Sequence, residues 1–283
     1  MTTLEAAYRY CRNLTHRCGP HFSVGFRFLP KPKRDAIYAV YAFCRYADDI
    51  VDEPPPIGSP EVCSEAPLAA WSEELDRCYR QQPRHPISVA LADAIRRYPI
   101  PKEGFLGLIE GCRMDLKYSR YPTFAALMVY CDRVATTIRD LSLPVFGYTD
   151  PRGLEYGCAL STGLQMTNIV RDVGEDLDRG RIYLPQDEIQ DAGYSEAELC
   201  ARVKNDAFLR LMAFQCQRIR DLFDQAAQLI PLVEEDSRRA LSLMCNVYVA
   251  LLDRIEAAPF DVLDRSIRLS VLERRAIVRA PRA

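Results

Sequence analysis

The 283-residue sequence has no apolar run long enough to cross a bilayer. The longest, Ala36–Cys44 (AIYAVYAFC), falls far short of the roughly 20 residues that a helical span needs. The opening segment, MTTLEAAYRYCRNLTHRC, has no uninterrupted apolar h-region, so no signal peptide is expected. Excess charge of one sign is also lacking: 37 Lys and Arg face 39 Asp and Glu, for a formal net charge of −2. No overall field draws such a chain onto nucleic acid or an anionic membrane, and no nucleic-acid partner is expected. Eleven cysteines occur but no C-x-x-C, so they read as small buried residues in a reducing cytoplasm rather than as zinc ligands or disulfides. The three histidines, His16, His21 and His85, accompany no G-x-S-x-G elbow, which leaves a nucleophilic triad little support. G-x-G-x-x-G and Walker loops are missing, and a Rossmann unit with them.

What is present is an ordinary globular composition, with 48% hydrophobic, 10% aromatic and 27% charged residues. Helical periodicity dominates and no Asn-Gly or Asp-Gly hairpin signal appears, so the chain is expected to be all-α. Breaks are expected at Gly19-Pro20, Pro30–Pro32, Pro54–Pro60, Pro83–Pro86, Pro99–Pro101, Tyr121-Pro122, Gly147–Gly153, Gly180–Pro185, Gly193 and Ala258-Pro259. They divide residues 1–283 into eight to ten helices of a single domain, with one mobile loop over 53–67, rich in Pro, Ser and Glu. The tail VLERRAIVRAPRA interleaves arginine with apolar residues and reads as the solvated end of a last helix, with at most peripheral membrane contact. A cytoplasmic monomer or weak homodimer is the expectation.

Two segments echo each other chemically. In YAVYAFCRYADDIVDE, residues 38–53, helical spacing puts Tyr41, Arg45, Asp48 and Asp52 on one face. In LSTGLQMTNIVRDVGEDLDRGRIYLP, residues 160–185, Gln165, Asn168, Asp172 and Asp176 fall at i, i+3, i+7 and i+11, again on one face. Leu164, Met166, Ile169, Val170 and Val173 make the rest of the second helix apolar, which predicts burial on most sides. Buried carboxylates need compensating cations, and nearby lysine is too scarce to neutralise both clusters. Hard oxygen ligands of this kind suit Mg²⁺, or Mn²⁺ in its place, bound through a few carboxylates and the phosphates of a substrate. Without cations a diphosphate would be repelled by about 4 kcal/mol per carboxylate at 4 Å and an effective dielectric of 20. One D-D-x-x-D alone is as well read as a solvated acidic turn. A second copy, followed by Arg179, Arg181 and Tyr183 on a glycine-containing loop able to close over phosphate oxygens, favours a diphosphate site.

These residues resemble the squalene and phytoene synthase family, which joins two prenyl diphosphates head to head. The similarity runs through residues 22–53, EGCRMDL (110–116), LMVYCDRVATT (127–137), the segment 164–185 and VYVALLDRIEAAPFDVLDRSIRLS (247–270). Its most specific part is Q-x-x-N-x-x-x-D-x-x-x-D followed by R-G-R-I-Y-L-P. The resemblance implies an isoprenoid-synthase-type helical bundle with a deep central cavity, across which the two aspartate helices face each other. It implies metal binding by Asp48, Asp52, Asn168, Asp172 and Asp176, with Tyr41 and the four aspartates catalytic. It also implies substrate contacts from Arg45, Gln165, Asn168, Arg171, Arg181, Tyr183 and Arg265, and from the aromatic residues Phe22, Phe26, Tyr130 and Tyr248. For the aromatic positions plain core packing is an equal reading. The implied reaction is ionisation of an allylic diphosphate, attack by a second prenyl chain to give a cyclopropylcarbinyl diphosphate, and rearrangement to a C30 or C40 hydrocarbon. C20 and C15 substrates, and consumption of NADPH, stay open at this point. The chain lacks the C-terminal apolar anchor of membrane-bound squalene synthases, which fits a soluble bacterial-type enzyme.

Two departures from the pattern bear on the acceptor. Val134-Ala135-Thr136-Thr137-Ile138-Arg139-Asp140 carries Arg139 where glycine is common, which narrows a tunnel there unless Arg139 pairs with Asp140 or points outward. Gly19, Pro20 and His21 precede Phe22-Ser23 where small hydroxyl residues often help hold phosphate. They motivate an alternative, transfer of one prenyl group to an aromatic acceptor. A noncatalytic prenyl-diphosphate-binding role is disfavoured by the full set of four aspartates and Asn168.

Overall fold

Lys31–Asp52 forms one 22-residue helix whose alanine-rich inner face, with Ile37, Tyr38, Val40 and Phe43, is buried to 2% exposure or less. Alanine, isoleucine, valine and aromatic residues at helical spacing give that face continuous apolar contact, and burial of this kind contributes about 25 cal/mol per Å². The computed structural model describes residues 2–52 and 65–279. Among them nine helices run twelve residues or longer, and no strand occurs. The long helices besides Lys31–Asp52 are Leu4–Cys18, Glu65–Tyr79, Pro86–Arg97, Lys102–Lys117, Phe124–Thr136, Arg152–Arg171, Asp206–Ala226 and Glu235–Ala257. They pack into an all-α bundle whose buried residues join one continuous core.

Described helices end where proline and glycine predicted, as at Cys18, Arg97, Lys117, Phe146, Asp178 and Ala257. The expected breaks at Pro54–Pro60, and the 53–64 part of the expected loop, lie outside the described residues. Two features were not foreseen. The helix carrying the second stripe stops at Arg171, and a short helix, Val173–Asp178, begins beyond Asp172. The amides of Asp172 and Asp176 still donate to the carbonyls of Asn168 and Asp172, at 2.9 and 2.8 Å, so the spacing of the stripe survives the kink. The second is a π-helical turn over Thr137–Ser142, an insertion that lets Arg139 depart from the preceding helix.

Gly174 sits just past the kink and fixes it. A Cβ there would lie 2.1 Å from the Leu263 carbonyl oxygen, while the Gly174 amide donates to Val262 at 3.1 Å. Gly174→Ala should therefore destabilise the fold by about 2 kcal/mol, read as a fall of roughly 4 to 8 °C in thermal melting. An unchanged melting temperature would show that the 262–263 segment yields freely.

Ten cysteines among the described residues are free, and seven of these are buried, in keeping with the reading as core residues.

Candidate active site

The two acidic stripes line one cavity. It has two lobes of about 340 and 430 Å³, and Arg45, Asp48, Gln165, Asn168, Arg171 and Asp172 line both. Phe22, Phe26, Tyr41 and Tyr248 close the first lobe; Asp52, Tyr130, Asp176, Arg181 and Tyr183 line the second. A direct bond ties the stripes together, since Arg181 donates to Asp52 Oδ1 at 2.8 Å across 129 residues of sequence.

The glycine-containing loop reaches that position because it is pinned to the end of the Lys102–Lys117 helix. Arg120 and Ile182 form an isolated parallel bridge, the Ile182 amide donates to Ser119 at 2.9 Å, and Arg120 donates to the Gly180 carbonyl at 2.7 Å. Gly180 itself adopts φ +73°, which a Cβ-bearing residue takes only at a cost. The loop then seats the Tyr183 hydroxyl on Asp115 Oδ1 at 2.7 Å, while Tyr130 donates to Asp115 Oδ2 at 3.0 Å. The rings of Tyr121, Tyr130 and Tyr183 pack with centroids 5.2 to 5.7 Å apart. Asp115 is a cavity residue that the stripe pattern did not single out. Nothing in EGCRMDL sets it apart from Glu110, and only its two tyrosine partners reveal its place.

Arginine, not lysine, supplies the local compensation. Arg181 takes Asp52, and Arg171 holds Asp172 in a two-point fork whose Nε–Oδ1 arm is 2.7 Å. Arg45 turns instead to Asp49 at 2.5 Å, leaving its Nε buried and unpartnered. One carboxyl in each stripe is thus left without a close cation. Burial, reinforced by Asp52 and Asp115, pushes Asp48 up to about 7, although Arg45 and the Cys112 thiol act the other way. The Cys112 thiol donates to Asp48 at 3.4 Å. Burial, then Asp172, pushes Asp176 up to about 8, and its nearest arginine partner, Arg179, stands 3.9 Å away.

Asn168 hydrogen-bonds Tyr248, yet its carbonyl oxygen Oδ1 is buried with no partner. An orphaned acceptor in the same cavity lining as these two carboxyls is a donor set a hard divalent cation can use. No three carboxylate, imidazole or thiol groups close on one point among the described residues.

The first lobe is aromatic. Phe22 lies 5.2 Å from Tyr248 and 5.9 Å from Tyr41, centroid to centroid, and 6.3 Å from Phe26. Gly19 lies so close that a Cβ would come within 2.4 Å of the Tyr41 hydroxyl, so the missing side chain makes room for that tyrosine. His21 is buried on the same wall with Nδ1 unpartnered; burial, then Arg171, Arg274 and Arg268, lowers its imidazole to about 4.

One expectation needs correction, and one left open by the sequence is decided. Arg265 is not brought into the cavity: it lies in a non-helical segment, largely exposed, and pairs with Asp261 at 2.5 Å. Arg268, one turn's length further on, lines both lobes instead. Arg139 does not fill the tunnel. It forks onto Asp140 at 2.8 and 3.0 Å and reaches Asp132 at 3.1 Å, apart from the residues that line either lobe.

Comparison with known proteins agrees with this architecture. The sequence pattern of the squalene/phytoene synthase family matches residues 15–275. The chain is 39% identical over 274 residues to the 15-cis-phytoene synthase of Synechococcus elongatus, covering 93% of this chain and 88% of that protein. It is 36% identical over 277 residues to the 15-cis-phytoene synthase of Synechocystis, covering 93% and 80%. Among solved structures, a dehydrosqualene synthase in complex with ligand superposes with a TM-score of 0.89 at 26% identity, over 98% of this chain and 95% of that one. Squalene synthase HpnC from Alicyclobacillus acidocaldarius superposes with a TM-score of 0.81 at 33% identity, over 91% and 95%.

Proposed function

The chain belongs to the squalene/phytoene synthase family, and from that premise we propose that it condenses two C20 prenyl diphosphates head to head into phytoene, with release of diphosphate. The observation that carries the reading is the Asp52–Arg181 bond within one cavity lined by both acidic stripes. The C20 chain length is supported by relatives that bear the phytoene synthase name at 36 and 39% identity.

The proposed chemistry begins when the allylic C–O bond breaks and its electron pair leaves with the diphosphate. Arg45, Arg171 and Arg181 face that developing charge from the walls of the cavity, and Tyr183 is held beside them on Asp115. Fixed cations in a water-poor site stabilise such a leaving group far more than they would in water. The carbocation left behind lies among Phe22, Phe26, Tyr41 and Tyr248, whose ring faces stabilise positive charge by about 0.5 to 2 kcal/mol each and exclude water. The double bond of the second prenyl chain then attacks it, and ring closure with loss of a proton gives a cyclopropylcarbinyl diphosphate; departure of the second diphosphate, rearrangement and loss of a second proton complete phytoene. Asp48, Asp52, Asp172, Asp176 and Asn168 would hold the divalent cation, Mg²⁺ or Mn²⁺, and Gln165 lines the same wall. When bound, that cation supplies Lewis-acid neutralisation of the diphosphate. No reductant is included: phytoene formation needs none, and no observation points to NADPH.

The aromatic-acceptor alternative rested on two departures: the pairing of Arg139 with Asp140 and Asp132 speaks against the first, while Gly19 and His21 do line the first lobe. Product stoichiometry decides between the two. Incubation with Mg²⁺ and C20 diphosphate should yield a hydrocarbon holding two prenyl units per molecule, identified by mass spectrometry, with diphosphate released. A product with one prenyl unit, or dependence on a non-isoprenoid cosubstrate, would overturn the proposal; preference for C15 diphosphate would shift the chain length alone. The cytoplasm is the proposed location, and among the described residues no helix is long and apolar enough to cross a membrane.

A further inference from the structure

The last described helix, Val271–Arg279, turns an unusual face outward. Val271, Leu272, Arg275, Ala276 and Arg279 are its exposed residues, and at i, i+4 and i+8 spacing they form one stripe without an acid. Leu272 is 75% and Val271 54% exposed, among the most exposed large apolar residues described. The opposite side is anchored: Ile277 and Val278 pack on the core, and Glu273 pairs with Arg254 at 3.2 Å. Arg274, Arg275 and Arg279 take part in no ion pair among the described residues.

The helix follows closely on a segment that reaches the cavity. Arg268 lines both lobes and also a neighbouring hollow of about 380 Å³, which it shares with Arg254 and Arg265. The charge of Arg274 is felt at His21 on the cavity wall. Arginine flanking exposed leucine and valine on a helix held flat against a protein is the chemistry of an interfacial helix, with apolar side chains entering the acyl boundary and guanidinium groups meeting phosphate.

We propose that this face docks the protein on an anionic phospholipid bilayer, with the cavity mouth turned to the surface. The proposal deepens the function argued above and rests on it in one respect: a condensed prenyl hydrocarbon has no aqueous phase to enter, so its exit belongs beside lipid. Net charge alone pointed away from membranes, because a local patch vanishes in a sum of −2.

The test is binding of the full chain to sedimented vesicles, measured without turnover. Vesicles of phosphatidylcholine with about one-third phosphatidylglycerol should bind at least tenfold more tightly than phosphatidylcholine alone, and the difference should collapse as salt rises from about 0.1 to 1 M. Leu272→Asp combined with Arg275→Glu and Arg279→Glu should lose that preference while keeping turnover of detergent-dispersed substrate. Arg275→Lys with Arg279→Lys should retain it. Wild-type protein indifferent to phosphatidylglycerol, or a triple variant that binds as well as wild type, overturns the proposal. So does a concentration-dependent self-association that the triple variant abolishes without vesicle binding by either form, since a second copy would then be the occupant. Loss of turnover in the wild type would strike the proposed reaction instead, leaving the vesicle result intact.

Discussion

Asp176→Asn should cut diphosphate release by about three orders of magnitude and at the same time raise the melting temperature of the metal-free protein. The first effect follows from loss of one charged ligand to a cation that offsets leaving-group charge, worth about 4 kcal/mol in the barrier. The second follows from where Asp176 stands. Its carboxyl is buried beside Asp172, with Arg179 at 3.9 Å as a distant partner, and is pushed up to about 8. Near pH 9 the ionised group opposes folding, and an isosteric amide removes that opposition, for a gain on the order of 1 kcal/mol or a few degrees. A side chain kept for structure would lose both properties together; opposite signs mark one kept for function. Steady-state diphosphate release and thermal melting in chelator measure the two effects. Release within about tenfold of wild type would refute the assignment of Asp176 to the site.

Asp176 also shows what a sequence conveys and where it stops. The four aspartates and Asn168 were legible because carboxylates at i, i+3 and i+4 share a helix face whatever surrounds the helix. The kink at Asp172 was not legible, since no proline or glycine marks it; Gly174 follows it, and the carbonyl that Gly174 avoids comes from Leu263, 89 residues away. Asp115 escaped notice for a similar reason. One of three acids on Lys102–Lys117, Asp115 gains meaning only when Tyr130 and Tyr183 converge on it. Arg265 and Arg268 lie three residues apart in a segment with no helical period, so spacing offered no way to choose between them. The same limit applies to compensation: counting lysines anticipated uncompensated acids, but which ones remain depends on Arg171 and Arg181 having chosen Asp172 and Asp52. Arg139 illustrates the reverse, because its two acidic partners lie within seven residues and the pairing with Asp140 was among the readings that the sequence allowed.

Binding of Mg²⁺ to the substrate-free protein should strengthen by up to about a hundredfold between pH 6 and 7, then level off above pH 8. Asp48 is pushed up to about 7 and Asp176 to about 8, from an ordinary 3.8, in each case chiefly by burial. At pH 6 both carboxyls hold protons that a cation must displace, and each displaced proton contributes about tenfold per pH unit. The sign for stability runs the other way without metal. Between 3.8 and about 8 the folded state binds protons that the unfolded chain has released, so unfolding free energy falls as pH rises through that window. Magnesium should reverse the trend, because the ionised carboxylates that weaken the metal-free fold are its ligands. The difference between melting temperatures with and without Mg²⁺ should therefore widen from pH 6 to pH 8, while titration of groups elsewhere cancels in the subtraction. The double variant Asp48→Asn with Asp176→Asn should flatten the difference across the whole range. A gap of equal size at pH 6 and pH 8 in the wild type would mean that these two carboxyls are not what the cation binds.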